Sequence, residues 1–347
     1  MCNRLPHYYE EVALMRRIVL MTTMAVLVAL SLLVSAGFVS AKSNGHVVRP
    51  GESIQKAIKA AEAGDTIVVL GGVHHGTVVI KKDGISVRGV DAVLKPPANP
   101  NSPCGASGFC VNADNVSISG FTVRNFRDNG IIAIGARNPK FVSNRAINNR
   151  EYGIAAFSST GTQIIGNLTR GSDDAGIYVG DAPRANATIV GNQTYDNLFG
   201  IFVRNARHGK IAGNQVHDNC LGMLFLADAP GPAGVFHVRG NNVMNNTRAC
   251  PATDEGPPIS GVGIALLGAR SMEIKDNRII HNVPSGPTEF SGGVVVVSGF
   301  EGTPPNNNTL TDNTILRNKP DIFWDKSGSG NDLKPNDCKT SKPGRLC

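Results

Sequence analysis

Three carboxylates recur every 23 residues in this chain: Asp128, Glu151 and Asp174. Each stands two residues before a glycine that opens a short apolar stretch. If the spacing reflects stacked structural units, the three side chains form a column with a separation of about 5 Å. Carboxylates at that distance cannot all ionise without cost, so the pKa of one rises unless a cation is present. The column therefore suits either a general acid beside a base or a bound Ca²⁺ ion.

Charged residues also stand one place earlier in the same units: Arg127, Arg150 and Asp173. As a structural feature, the arginines pair with the stacked carboxylates at a solvated turn. As a functional feature, they complete a charged patch that extends over three successive units. The sequence leaves both interpretations open.

A repeat of mostly 22 to 25 residues aligns these positions between Gly120 and Asn318. Its units begin with a glycine and an apolar residue, at Gly130, Gly153, Gly176, Gly200, Gly222, Gly263 and Gly293. Paired asparagines recur in step, at Asn144/Asn149, Asn192/Asn197, Asn214/Asn219, Asn241/Asn246, Asn277/Asn282 and Asn313/Asn318, while Asn167 is followed by Ser172. The apolar bursts are three to five residues long and alternate with period two, which excludes helical repeats. This pattern predicts a parallel β-helix with three strands per coil and ladders of buried asparagines.

The two ends of the repeat region carry signals for closure. Ser53 is a suitable N-cap for a short helix with Ile54 and Ile58 on its apolar face. We expect this helix to cover the open end of the first coil, and Trp324 to plug the last one.

The first residues of the chain resemble an export signal. Arg16 and Arg17 precede an apolar run from Ile18 to Val34, and small residues end at Ala41. We expect residues 1–41 to be a signal peptide region, with Met15 as an alternative start, and residues 42–347 to form one secreted domain. A transmembrane anchor is the competing interpretation; after signal cleavage no stable membrane span is expected.

Six cysteines follow this segment: Cys104, Cys110, Cys220, Cys250, Cys338 and Cys347. An even number behind an export signal indicates disulfides, including one in the C-terminal tail, although fifteen pairings are possible. None has the spacing of a zinc site. The pI near 9.1 is compatible with an anionic partner, while the aromatic content of 5% argues against nucleic acid.

The stretch from Ser53 to Gly89, SIQKAIKAAEAGDTIVVLGGVHHGTVVIKKDGISVRG, resembles the opening of the pectin-lyase-like superfamily. The repeats and the ending DIFWDKSGSGN also resemble secreted members of that superfamily. The resemblance implies an all-β, right-handed parallel β-helix with an N-terminal capping helix over about residues 46–347. It does not choose among polysaccharide lyases, hydrolases, epimerases, phage depolymerases and a periplasmic copper-accessory protein.

Two enzyme templates within the superfamily assign different roles to the charged patch. The resemblance to polygalacturonases makes Asp173 or Asp174 the proton donor and Glu151 the residue that activates water. The Gly-His-Gly and Arg-Ile-Lys motifs of that family are missing. The lyase template makes Arg127 or Arg150 the base, and Asp128, Glu151 and Asp174 the ligands of Ca²⁺.

Apolar residues occupy the outward positions of the first strand in each unit, which suggests a binding face or a surface covered by loops. Tyr178 and Phe202 are candidates for stacking on a sugar ring, and Arg204 lies in the next outward column. Long insertions at 247–260 and 283–292 flank this strip. His217 and His281 are expected to occupy equivalent positions before an asparagine, two coils apart, but no cluster of histidine and methionine is evident for a copper-handling role.

The sequence thus predicts a secreted protein that engages an extracellular, anionic polysaccharide, as a lyase, as a hydrolase or without catalysis. A noncatalytic surface protein and a copper-accessory protein are the alternatives.

Overall fold

The structure is a computed structural model that describes residues 45–99, 104–228, 231–253 and 256–347. Within these residues the chain forms one α-helix, α1 (Ile54–Ala60), one 3₁₀ helix (Phe300–Gly302) and 31 short strands. The expected signal region lies outside the described residues. In the part of the chain that the structure describes, no helix has the length and hydropathy needed to span a membrane.

The strands follow one another along the whole described chain. The first sixteen are β1 (Gly45–Val48), β2 (Thr66–Val69), β3 (Gly72–His75), β4 (Val78–Ile80), β5 (Ser86–Lys95), β6 (Phe109–Val111), β7 (Ser117–Arg124), β8 (Ile131–Ile134), β9 (Lys140–Val142), β10 (Arg145–Ile147), β11 (Ile154–Phe157), β12 (Gln163–Ile165), β13 (Leu168–Arg170), β14 (Ala175–Gly180), β15 (Ala187–Val190) and β16 (Gln193–Tyr195). The remaining fifteen are β17 (Phe199–Arg204), β18 (Arg207–Ala212), β19 (Gln215–His217), β20 (Leu221–Leu226), β21 (Gly234–Arg239), β22 (Asn242–Met244), β23 (Val262–Leu267), β24 (Glu273–Lys275), β25 (Arg278–Ile280), β26 (Gly292–Val297), β27 (Thr309–Thr311), β28 (Thr314–Leu316), β29 (Ile322–Trp324), β30 (Asp337–Cys338) and β31 (Ser341–Lys342).

Each coil contributes three strands, and each strand pairs in parallel with its equivalent in the next coil. Thus β14, β15 and β16 pair with β17, β18 and β19. An eleven-stranded sheet contains, in order, β4, β6, β8, β11, β14, β17, β20, β23, β26, β29 and β31, and the other strands form a twenty-stranded sheet. The protein is a right-handed parallel β-helix, which confirms the predicted fold class.

Side chains alternate in direction along each strand, so every second one points into the lumen of the β-helix. In β15, Ala187 and Ile189 are buried while Thr188 and Val190 are partly exposed. The lumen side chains form a continuous apolar core along the axis. Coils stack so closely that a Cβ at Gly153 would lie 2.5 Å from the carbonyl oxygen of Gly176, which explains the glycine that opens each unit.

The asparagines form the predicted ladders at two corners of the coil. In the first, the Nδ2 of Asn167 donates to the Oδ1 of Asn192 at 3.0 Å, and Asn192 donates to Asn214 at 3.0 Å. In the second, Asn219 donates to Asn246 at 2.9 Å. Because these amides are buried, the ladders satisfy polar groups that would otherwise be costly inside the protein.

The capping helix begins at Ser53, whose side chain accepts a hydrogen bond from the backbone N–H of Lys56 at 3.3 Å. Ile54 and Ile58 are buried against the lumen core. At the other end, Trp324 packs on the same core and donates to the carbonyl of Ser327 at 2.8 Å.

Three disulfides pair the six cysteines as near neighbours in sequence: Cys104–Cys110, Cys220–Cys250 and Cys338–Cys347. The sequence had left their connectivity open. Disulfides of this number are typical of a protein that folds outside the cytoplasm.

Candidate functional site

The predicted charged residues lie together at the turns that lead into β8, β11 and β14. The backbone N–H of Glu151 donates to the carbonyl of Asp128 at 3.1 Å, and that of Asp174 to the carbonyl of Glu151 at 3.3 Å. The three carboxylates therefore occupy equivalent positions in adjacent coils. We call the set of Arg127, Asp128, Arg150, Glu151, Asp173 and Asp174 the charged row.

Protein donors hold the carboxylates of the row. The Oδ2 of Asp128 accepts from the backbone N–H of Ala106 at 2.7 Å, which fastens the loop closed by the Cys104–Cys110 disulfide. The side-chain amide of Asn129 donates to Glu151 Oε2 at 3.3 Å. Asp174 is hydrogen-bonded to the side chain of Tyr152 in the preceding coil. These contacts lower the cost of stacking like charges.

The guanidinium groups of the row face solvent. Arg150 Nε lies 3.4 Å from Asp173 Oδ2, and both side chains are 71% exposed. Arg127 is exposed as well. Exposed ion pairs of this kind contribute little to stability, so the arginines are available to an anionic partner at little structural cost.

Two buried tyrosines border the row. Burial raises the pKa of Tyr152, and the nearby charge of Asp174 raises it further. The pKa of Tyr178 is raised by burial and by the charge of Asp181, against a lowering effect of Arg204. Both phenols therefore stay protonated at neutral pH, so neither is suited to act as a base.

The apolar residues at the outward positions of the first strands are buried, whereas the sequence suggested an exposed surface for sugar stacking. Tyr178 and Phe202 are 1% and 7% exposed. The Tyr178 ring stacks on Tyr152 at a centroid distance of 4.5 Å and lies 4.6 Å from the ring of Phe157. Because protein atoms already occupy these positions, neither ring offers a free face to a sugar.

The inserted loops contribute to the apolar cluster that contains these rings. The strip belongs to a second apolar cluster outside the lumen, which also includes Ile259 and Phe290 from the two insertions. Arg204, the third predicted binding residue, pairs with Asp228 at 2.8 Å, and its side chain is 43% exposed. Of the two interpretations of the strip, the structure favours a surface covered by loops.

Among the described residues, no group of three or more His, Cys, Asp or Glu side chains is arranged to hold a metal ion. The assignment of Asp128, Glu151 and Asp174 as calcium ligands stays a prediction. So do the catalytic roles of Arg127, Arg150, Glu151, Asp173 and Asp174, although the structure brings all of them together.

A family model described as "Periplasmic copper-binding protein (NosD)" matches residues 58–254, more than half of the chain. The chain belongs to the NosD family. No curated protein matches the sequence. The match begins at Ile58, in the last turn of the capping helix, and covers the charged row and the coils as far as β22.

Solved structures share the fold of this NosD family member at low sequence identity. The Dettilon tailspike protein has 14% identity and a TM-score of 0.54, covering 85% of this chain and 68% of that one. The A-module of the Azotobacter vinelandii mannuronan C-5 epimerase AlgE4 has 16% identity and a TM-score of 0.53, with coverage of 83% and 94%. DFA-IIIase from Arthrobacter chlorophenolicus has 12% identity and a TM-score of 0.58, with coverage of 83% and 93%. At these identities the likeness shows the fold alone.

The NosD description raises the question of which described side chains suit copper. All six described cysteines are in disulfides, and Met223 and Met272 are buried in the lumen core. Met244 instead points outward from β22, in register with His217 of β19. Copper accepts imidazole and thioether donors, but the Nε2 of His217 faces Gln193 of the preceding coil at 3.0 Å, whereas Met244 lies in the following coil.

The sequence analysis compared His217 with His281 instead. The register aligns His217 with Met244 and Met244 with Ile280, so His281 lies one residue beyond the column. The sequence contains the same offset, since His217 and Met244 each stand two residues before a ladder asparagine and His281 stands only one residue before Asn282.

Proposed function

We propose that this protein binds an anionic polysaccharide outside the cytoplasm along the charged row. The observation that carries the proposal is the exposure of Arg127 and Arg150 in adjacent coils, above carboxylates that are already held by protein donors. A linear polymer with regularly spaced negative charges can meet equivalent groups on successive coils. The mannuronan epimerase that shares the fold is consistent with this proposal, but the proposal does not depend on it.

The row itself holds two arginines and four carboxylates, so the attraction of an anion depends on the net charge of the whole chain. The chain has a formal net charge of +7, so long-range electrostatics favour the approach of a polyanion. The carboxylates of Asp128 and Asp174 accept hydrogen bonds from Ala106 and Tyr152. A bound anion therefore meets Arg127 directly, and it competes with the exposed carboxylate of Asp173 for Arg150.

The test compares charge reversal in the row with the same change elsewhere. The double variant Arg127→Glu/Arg150→Glu should bind pectate, alginate or a glycosaminoglycan at least about tenfold more weakly, equivalent to 1.4 kcal/mol. The control variant Arg145→Glu/Arg184→Glu changes the net charge equally at exposed positions outside the row. Affinity electrophoresis in gels that contain each polymer measures both.

Two outcomes would refute binding at the row. One is that wild-type protein is not retarded by any polymer of the panel. The other is that the row variant and the control variant are retarded equally. Weakening by added salt in the wild type, lost in the row variant, would support direct contact with the arginines.

A catalytic version of the same proposal uses Glu151, Asp173 and Asp174. In that version Asp173 or Asp174 donates a proton to the leaving oxygen and Glu151 activates water. The triple variant Glu151→Gln/Asp173→Asn/Asp174→Asn should then lose product formation but keep binding. Release of reducing ends reports a hydrolase, and ultraviolet absorbance of unsaturated products reports a lyase. If the wild type forms neither product, the function at the row is binding alone.

A further inference from the structure

A cavity of about 400 Å³ opens between the capping helix and β4, the last strand at one end of the eleven-stranded sheet. Its volume is within the range of small-molecule sites. The residues that line it come from α1 and from β4 with its flanks: Gln55, Ile58, Lys59, Thr77, Val79, Lys81 and Lys82. Three of the seven are lysines and none is acidic, so the cavity favours an anion.

The position of β4 at the sheet edge determines which ligands fit. The backbone N–H of Val78 donates to the next coil at 2.8 Å, and alternate residues of a parallel strand direct their backbone groups to opposite sides. The backbone groups of Thr77, Val79 and Lys81 therefore face the cavity. Because Gln55 occupies both groups of Val79, an added strand would be interrupted there. The cavity suits a compact ligand rather than an extended chain.

The lysines of the cavity have no carboxylate partners. Among the residues that the structure describes, no ion pair includes Lys59, Lys81 or Lys82. The ammonium group of Lys82 donates to the carbonyl of Lys59 at 2.9 Å and to that of Ala61. These carbonyls carry the partial negative charge of the helix C-terminus, which Lys82 therefore offsets. The exposed ammonium groups of Lys59 and Lys81 are left to meet a ligand.

The cavity also presents apolar surface beside these charges. Ile58 is 3% exposed and belongs to the lumen core, while Val79 is partly exposed and packs on the second apolar cluster. The methylene stems of the lysines extend this surface toward solvent. The combination matches a molecule that carries an anionic group on an apolar body.

We propose that the cavity binds an amphiphilic organic anion. Its carboxylate or phosphate group lies between Lys59 and Lys81, and its apolar body lies against Ile58 and Val79. Hydrogen bonds from ammonium groups to such an oxyanion are charge-assisted, and the apolar body gains free energy by leaving water. A free organic acid and a phospholipid share this chemistry.

This cavity shares no residue with the charged row, which lies at the turns into β8, β11 and β14. Failure of one proposal therefore leaves the other untouched. A polysaccharide without an apolar body is not a ligand for the cavity, so the two sites are tested with different molecules.

The test is a fluorescence titration of the purified protein with anilinonaphthalene sulfonate, an apolar anion whose emission rises when it leaves water. Octanoate should displace the probe, whereas acetate, which lacks the apolar body, and octanol, which lacks the charge, should not. Lys59→Gln/Lys81→Gln should bind the probe at least about tenfold more weakly, because both charge-assisted contacts are lost. Thr77→Glu, which adds a carboxylate to the cavity and keeps every lysine, should weaken binding as well.

Lys140→Gln/Lys210→Gln provides a matched control. It removes the same charge from exposed positions on β9 and β18 and should bind the probe as the wild type does. Urea unfolding checks that all variants are equally folded, since the probe also binds unfolded chains. Cosedimentation with phosphatidylglycerol vesicles but not with phosphatidylcholine vesicles would identify a lipid as the source of the anion, and displacement by octanoate without cosedimentation would identify a free acid.

Three results would overturn the proposal. One is the absence of saturable probe binding to the wild type. Another is equal binding by the wild type and Lys59→Gln/Lys81→Gln. The third is displacement by octanol as readily as by octanoate.

Discussion

The side-chain amide of Gln55 pairs with both backbone groups of Val79, as a neighbouring strand would. Its Nε2 donates to the Val79 carbonyl at 3.1 Å, and its Oε1 accepts from the Val79 N–H at 2.6 Å. Val79 lies in β4, the last strand at one end of the eleven-stranded sheet. An uncovered sheet edge is a template for pairing with other chains. The capping helix therefore protects this edge with hydrogen bonds as well as with apolar cover.

Replacement of Gln55 with alanine should expose that edge. We expect Gln55→Ala to lower the free energy of unfolding by about 1 to 3 kcal/mol, because two backbone groups lose their partners. Self-association should increase at the same time. Urea unfolding and light scattering measure the two effects. Lys56→Ala, at the exposed neighbouring position, should change neither.

Substitution of the buried lumen residue Thr194 by valine should stabilise the protein. Thr194 is 0% exposed, and its hydroxyl has no hydrogen-bond partner. Its register neighbour Val216 shows that valine suits this column. Thr194→Val should raise the free energy of unfolding by about 1 kcal/mol, because an unsatisfied hydroxyl is replaced by a methyl group. Thr194→Ser should be destabilising, and a loss of stability in Thr194→Val would contradict this account.

Two of the disulfides should stabilise the protein in the order of the loop lengths that they close. The Cys220–Cys250 bridge closes a separation of 30 residues, against 9 for Cys338–Cys347. The chain-entropy estimate is then about 3 to 4 kcal/mol for the first and about 2.5 kcal/mol for the second. Denaturant unfolding of the paired Cys→Ala variants tests the order, and the opposite order would count against it.

The ion pair between Arg137 and Asp114 should make the free energy of unfolding depend on pH. Arg137 donates to Asp114 through its side chain at 2.6 Å and through its backbone N–H at 2.8 Å. These hydrogen bonds, the side-chain one first, lower the pKa of Asp114. A lowered folded-state pKa stabilises the protein above the unfolded-state pKa, and this contribution is lost as the pH falls through the folded-state pKa.

The titration of Asp114 should therefore respond to its partner. In Arg137→Gln, the carboxyl of Asp114 should titrate at a higher pH than in the wild type, as followed by NMR. Arg145→Gln removes an exposed arginine elsewhere and should leave the titration unchanged. An unshifted midpoint in Arg137→Gln would show that the side chain has no such effect.

The sequence determined the β-helix, its register and its ladders, because period and alternation act through the backbone. Equivalent positions of successive units can be aligned from the repeat alone, which is why Asp128, Glu151 and Asp174 were predicted to stack. The helix after Ser53 was likewise predictable from its cap and its apolar face.

The side chains that lie over and beside these positions follow from the folding of the whole chain and not from the repeat. Ile259 and Phe290, from two insertions, join the apolar cluster that contains the outward strip, and no periodic pattern in the sequence predicts the path of an insertion. The partners of the carboxylates depend on side-chain directions, as in the contact between Asp174 and Tyr152. The disulfide connectivity could not be predicted from the repeat either, since it depends on distances between coils and loops. A repeat fixes how coils stack, whereas contacts made by irregular loops and rotamers arise only once the whole chain has folded.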